Sequence, residues 1–107
     1  LSGHIMGTAE LVRRVPSENN LALYVRIPPS MQPYVLPKGY VAVDGCSLTI
    51  GTVEGDVFSL HIIPETLRLT TLGDRQIGDR FNIEVDAMTQ AVVETVQRVM
   101  AARGVDA

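Results

Sequence analysis

Lys38-Gly39-Tyr40-Val41-Ala42-Val43-Asp44-Gly45-Cys46-Ser47-Leu48-Thr49 reads as two strands around a tight turn. Tyr40 to Val43 is β-prone, Asp44-Gly45 turns the chain, and a second strand starts at Cys46. Asp-Gly between two such runs is a strong short-range hairpin signal. Past the turn the side chains alternate. Cys46, Leu48 and Ile50 point one way, Ser47 and Thr49 the other. The apolar row suits a core, and the hydroxyl row, with Lys38 near it, suits something polar. Two hydroxyls on one strand face can hydrogen-bond a polyhydroxylated ligand. A half-solvated antiparallel strand carries the same pattern, so this stretch leaves both readings open.

Outward from the hairpin, the chain breaks into short alternating runs. Ile5 to Arg14 is a mixed strand in which Gly7 marks a bulge or a close approach. Pro16-Ser17-Glu18-Asn19-Asn20 is a turn by composition. Leu21 to Ile27 alternates cleanly, with Leu21, Leu23, Val25 and Ile27 inward. Pro28-Pro29-Ser30 ends it, and Met31 to Leu36 has room for one helical turn between prolines. The strand after the Asp44-Gly45 turn runs to about Glu54, and Gly55-Asp56 turns the chain again. Val57 to Ile63 puts Phe58, Leu60 and Ile62 on one face and Ser59, His61 and Ile63 on the other. Glu65 to Leu72 fits either a helical turn or an extended segment, and Arg80 to Asp86 is the last strand. Such a series indicates a small antiparallel barrel or sandwich.

From Met88 to Arg103 the period lengthens. Met88, Val92, Thr95, Val99 and Ala102 form a heptad seam, widened by Val93, Val96 and Met100. The resulting helix, about 24 Å long, can pack on its own barrel or against copies of itself. The expected division is a barrel over 1–87 and a helix over 88–107.

The totals fit one domain of 107 residues, with 46% hydrophobic residues, no Trp and few other aromatics. Val, Ile and Leu must therefore build the core. A net charge of −3 and a pI near 5.2 give no basic surface for nucleic acid or an anionic membrane. Neither a signal peptide nor a membrane-spanning run is evident. Cys46 is the single cysteine; it rules out an internal disulfide and suits a reducing compartment, which points to the cytoplasm. The chain opens at Leu1 and enters strand-like sequence at once, as expected of a piece of something longer.

Chemistry is sparse. His4 and His61 have no cysteine or carboxylate at metal-ligand spacing, so no metal site is expected. His4 precedes a strand, where a side chain can be exposed and well aimed; the ordinary alternative is a surface histidine. His61, within a strand, reads as structural. Cys46 reads as a small inward hydrophobe, not a nucleophile. Asp86 can orient a ligand or cap the following helix, and Asp is a favoured N-cap residue. Glu65-Thr66, after Pro64, fits a turn or a segment bringing N–H groups and a hydroxyl to a heteroaromatic ring. No phosphate-binding loop and no Ser/His/Asp arrangement is present.

Taken together, Ser2-Gly3-His4, Lys38-Gly39, Val43-Asp44-Gly45-Cys46-Ser47-Leu48-Thr49, Ile63-Pro64-Glu65-Thr66-Leu67, Thr70-Thr71-Leu72-Gly73 and Asn82-Ile83-Glu84-Val85-Asp86 resemble riboflavin synthase of the bacterial alpha-chain type, in its C-terminal barrel. The resemblance covers essentially the whole chain. It implies a six-stranded antiparallel Greek-key barrel with a C-terminal α-helix, as one half of a two-barrel enzyme that forms a homotrimer. Each active site of that enzyme lies between the N-terminal barrel of one subunit and the C-terminal barrel of a neighbour. There two 6,7-dimethyl-8-ribityllumazine molecules dismutate, without metal or cofactor, to riboflavin and 5-amino-6-ribitylaminouracil.

The resemblance also implies roles for matching positions. Gly3, His4 and Ile5 would approach the partner site. Lys38, Ser47, Leu48, Thr49 and Asp86 would engage the ribityl chain or organise its pocket. Ile63, Pro64, Glu65, Thr66, Leu67 and Arg68 would face the ring edge. His4, Ser47 and Asp86 are the candidates for catalytic work. The family's catalytic cysteine belongs to the other barrel and would correspond to Ser47, not Cys46. The expectation is therefore a chain that binds ligand with little or no turnover. A non-catalytic lumazine- or flavin-binding module and a generic barrel with an oligomerising tail are the alternatives.

Overall fold

The computed structural model describes residues 3–18 and 20–103; for residues 3–6 it describes the backbone but not the side chains. Six strands close into one antiparallel barrel: β1 (Gly3–Pro16), β2 (Leu21–Arg26), β3 (Tyr40–Val43), β4 (Cys46–Glu54), β5 (Val57–Ile62) and β6 (Arg80–Asp86). Their order around the wall is β1-β2-β5-β4-β3-β6. Alternation left barrel and sandwich open; the closed barrel that the resemblance implied is the one observed.

Closure depends on β1, which is 14 residues long and serves two neighbours. Its first half pairs with β6, from Gly3↔Asp86 to Glu10↔Arg80. Its second half pairs with β2, ending at Pro16↔Leu21. Register shifts at Ile5/Gly7 and Leu11/Arg13 let it bend from one to the other. Gly7 stands at the first of these shifts, in keeping with the bulge reading; a Cβ there would make an ordinary contact, 3.4 Å from Met31 Sδ.

The inward rows meet in a single core that includes Leu11, Leu23, Val25, Ile50, Phe58, Leu60, Phe81 and Ile83. Met31, Val35 and Leu72 add to it from outside the strands. Met31 belongs to the 3₁₀ turn Pro29–Tyr34, which starts two residues earlier than the prolines suggested. The ambiguous stretch after β5 resolves into helix α1 (Pro64–Leu69) and a 3₁₀ turn at Leu72–Asp74. Pro64 sets the start, since its fixed φ suits a first helical turn. Ile63 is consequently the N-cap residue of α1, not the end of a strand.

The Asp44-Gly45 turn is as read. Val43 pairs with Cys46 across it, and both turn residues have positive φ, 48° and 85°, the geometry of a two-residue hairpin turn. The turn is also fastened sideways. The Asp44 carboxylate accepts from the Asn82 N–H at 2.7 Å and from Arg75 at 2.5 Å, and Arg75 lies over the Phe81 ring.

Helix α2 (Ala87–Ala102) follows β6 directly; residues 104–107 of the expected tail lie outside the described residues. Asp86 is its N-cap. The helix touches the barrel at β6 and at the Pro29–Tyr34 turn, where the Tyr34 hydroxyl donates to Glu94 at 2.8 Å. None of its residues is buried, and Met88, Val92, Val96 and Val99 are exposed.

Candidate functional site

The hairpin places Ser47 and Thr49 on the outer wall of β4. Both are exposed, while Cys46 and Leu48 on the opposite face are half-buried against the core. Leu48 can therefore offer a ligand its backbone only. On one side β4 pairs with β3, with Tyr40 opposite Thr49 and Ala42 opposite Ser47. On the other side its pairing with β5 runs from Glu54↔Val57 to Ile50↔Leu60 and goes no further. Ser47 to Thr49 therefore has a β-partner on one flank only. The open flank faces the segment where β5 gives way to α1, since Ile63 leaves β5 three residues after Leu60.

Lys38 lies at the far end of this ledge. It is exposed, with a φ of 64°, and its N–H donates to the Ile50 carbonyl at 3.0 Å. In α1, Ile63, Pro64, Glu65 and Arg68 are exposed, and Thr66 and Leu67 half-buried. The Leu67 N–H is committed to the Ile63 carbonyl at 3.1 Å. The Thr66 carbonyl takes both the N–H and the hydroxyl of Thr70, at 3.0 and 2.7 Å.

The remaining candidates form a second group. Gly3 pairs with Asp86, His4 with Val85 and Ile5 with Glu84; the side chains of His4 and Ile5 lie outside the described residues. Glu84 also pairs with Ala42, which pairs with Ser47. Ser47 and Ile5 are thus three strands apart in either direction, on opposite sides of the closed six-stranded wall. The Asp86 carboxylate is turned to α2, where it accepts from the Thr89 hydroxyl at 2.5 Å and the Thr89 N–H at 3.1 Å. Those two bonds, the hydroxyl's first, hold its pKa below the ordinary value. The capping reading of Asp86 is the one its contacts express.

A concavity of about 650 Å³ lies elsewhere, between Thr8, Asp44, Arg75, Arg80 and Asn82. There Arg75 is paired with the Asp44 carboxylate, whereas Arg80 donates to the neutral Thr8 hydroxyl and keeps its charge.

The molecule is thus a closed antiparallel β-barrel that carries an exposed hydroxyl row beside an open strand flank. Residues 2–86 match the family model of the lumazine binding domain, and the chain belongs to that family. It is 51% identical over 104 residues to riboflavin synthase of Escherichia coli (strain K12), covering 96% of this chain and 49% of that protein. It is 45% identical over 106 residues to the riboflavin synthase of Chlamydia pneumoniae, covering 99% and 51%. The chain thus spans about half the length of these relatives. Among solved structures it resembles LumP complexed with flavin mononucleotide, with a TM-score of 0.75 and 25% identity over 79% of this chain and 48% of that one. LumP complexed with 6,7-dimethyl-8-(1'-D-ribityl) lumazine gives 0.73 and 23%, covering 77% and 46%.

The sequence reading did not bring His61 and Gly51 together. His61 is exposed on the outer face, and a Cβ on Gly51 would lie 2.9 Å from its Cδ2 and 2.5 Å from Ser59 Oγ. Ser59, expected on the wet face, is buried. Its hydroxyl is held by the Thr52 N–H at 2.8 Å and the Thr52 hydroxyl at 3.1 Å. A glycine inside a strand is the available signal for such a close approach.

Proposed function

We propose that this chain is the lumazine-binding C-terminal half of a riboflavin synthase and holds one 6,7-dimethyl-8-ribityllumazine on the Ser47–Thr49 ledge. The observation that carries the reading is the exposure of both hydroxyls beside the open flank of β4, in a chain of the lumazine-binding family. The ribityl chain lies across Ser47 and Thr49 toward Lys38. The heterocycle lies toward Ile63 to Arg68, with the Thr66 hydroxyl at its edge. Gly3, His4 and Ile5 face the second half-site, and Asp86 shapes the wall behind the ligand.

In the two-barrel protein the reaction joins two such ligands. One lumazine gives up a four-carbon unit to the other, producing riboflavin and 5-amino-6-ribitylaminouracil. Proton transfer falls to His4, Ser47 and Asp86 on this side, and neither metal nor cofactor takes part. The connections are read as Greek-key, the full protein as a homotrimer joined through α2, and its compartment as the cytoplasm. No helix of the described residues is long and apolar enough to cross a membrane. Alone, the 107-residue chain binds ligand without sustained turnover.

Fluorescence titration with 6,7-dimethyl-8-ribityllumazine tests the reading. Saturable binding that Ser47→Ala and Thr49→Ala each weaken is the expected result. No binding up to millimolar ligand would overturn it. The second reading, a binding module without chemistry, draws on the likeness to LumP, whose complexes hold a lumazine and a flavin. Dismutation by the two-barrel protein under the same conditions separates the two.

A further inference from the structure

The bulge in the second half of β1 decides which way Arg14 points. Leu11 pairs with Val25, Arg13 with Tyr24 and Arg14 with Leu23, so Val12 is the extra residue. Paired residues share a face of the sheet. Arg13 therefore lies outside, over the Tyr24 ring at 5.2 Å, and Arg14 shares the inward face of Leu23, which is fully buried. Without the extra residue the two arginines would exchange faces. Arg14 thus sits half-buried at the mouth of the barrel, near the end of β1 at Pro16.

From there its Nη2 donates to the Gly73 carbonyl at 2.6 Å, and a charged donor makes such a bond strong. Its Nε is buried with no partner among the described residues, and an unmade buried hydrogen bond costs stability. Gly73 is pressed against α1, since a Cβ on it would lie 3.0 Å from Leu67 Cδ2. Leu67 in turn follows Thr66, whose hydroxyl stands at the ring edge in the site proposed above. Helix α1 needs such a hold. It has six residues and none of them is buried, and so short a helix does not persist by itself. A cavity of about 380 Å³ reaches Arg14, Leu67, Gly73 and Asp74, so α1 has room to shift once the bond is lost.

We propose that Arg14 is a positioning residue for the heterocycle: from the barrel mouth it clamps the Leu72–Asp74 turn and so holds α1 where Thr66 meets the ring edge. The inference rests on the ligand site proposed above and adds the device that keeps its ring side in place.

Fluorescence titration of the 107-residue chain with 6,7-dimethyl-8-ribityllumazine and with 6,7,8-trimethyllumazine, which lacks the polyol, tests the clamp. Arg14→Met keeps the apolar stem and removes the donor. It is expected to weaken both ligands by the same factor, about fivefold, the size of the one Thr66 hydrogen bond it displaces. Arg14→Lys, which keeps a charged donor, is expected to recover part of the loss. Thr66→Ala added to Arg14→Met should cost nothing more, whereas Ser47→Ala added to it should multiply the loss for the ribityl ligand. A side chain that matters for folding alone would not single out Thr66. Unchanged affinity in Arg14→Met, or losses that multiply for Thr66 as they do for Ser47, would overturn the inference and spare the site. Should Arg14→Met unfold, the unsubstituted chain decides: either ligand should slow the solvent exchange of the Arg14 guanidinium protons, because the coupling is reciprocal, and unaltered exchange would overturn the clamp. Absence of ribityllumazine binding by the unsubstituted chain would overturn clamp and site together.

Discussion

Asp86 ends a strand and begins a helix with the same carboxylate, and its acid behaviour follows from that. The Thr89 hydroxyl and N–H hold its pKa below the ordinary carboxylate value. A carboxyl with a depressed folded pKa gives stability that is complete above the unfolded pKa and is lost as pH falls through the folded one. Asp86→Ala should therefore cost about 1 kcal/mol of stability near neutral pH. In urea unfolding the gap between the two proteins should narrow as pH drops below about 4. A gap of constant size across that range would show that the cap does not act through its charge. This role was readable locally, because Asp stands directly before a helical period. The Ser59 contact was not readable. It joins residues seven apart across a bulged pair of strands, and alternation alone places Ser59 in water. Ser59→Ala strands the Thr52 N–H and should lower stability by about 1–2 kcal/mol, measurable in the same unfolding experiment.

At the scale of elements, α2 shows what periodicity can and cannot say. The spacing of its apolar residues gave the helix and its approximate ends. It did not say which side meets the barrel. The half-buried positions are Thr89, Gln90, Val93, Gln97 and Met100, whereas the seam residues Met88, Val92 and Val99 face outward. A mixed polar face leans on the barrel, helped by the Tyr34–Glu94 hydrogen bond, and the purer apolar face is left over. A helix packed for local bracing would present the opposite sides. The proposed self-association therefore predicts a specific response. Val92→Asp with Val96→Asp should lower the molecular mass by light scattering, with a barrel melting temperature within a few degrees of the parent. Loss of melting temperature at unchanged mass would mean that the helix is a brace after all.

The whole molecule measures 49 × 26 × 20 Å, a barrel with the Ser47 and Thr49 hydroxyls on its outside wall. That placement was legible because one strand's alternation sends hydroxyls outward, and a closed sheet has no other outside. Its consequence for turnover follows from proximity. An outside ledge covers one face of a flat ligand and leaves the other to solvent, so a second lumazine meets the first only by collision. Holding two reactants face to face is worth effective molarities on the order of 10⁵ M, and half a site forgoes nearly all of it. The isolated chain should accordingly bind ribityllumazine yet form riboflavin at least roughly a thousandfold more slowly than the two-barrel protein. Adding a separately purified N-terminal barrel should restore part of the rate, with a dependence on its concentration that saturates as the two halves pair. Riboflavin production by the 107-residue chain at the rate of the full protein would mean that this wall alone brings both ligands together, and the half-site account would fall.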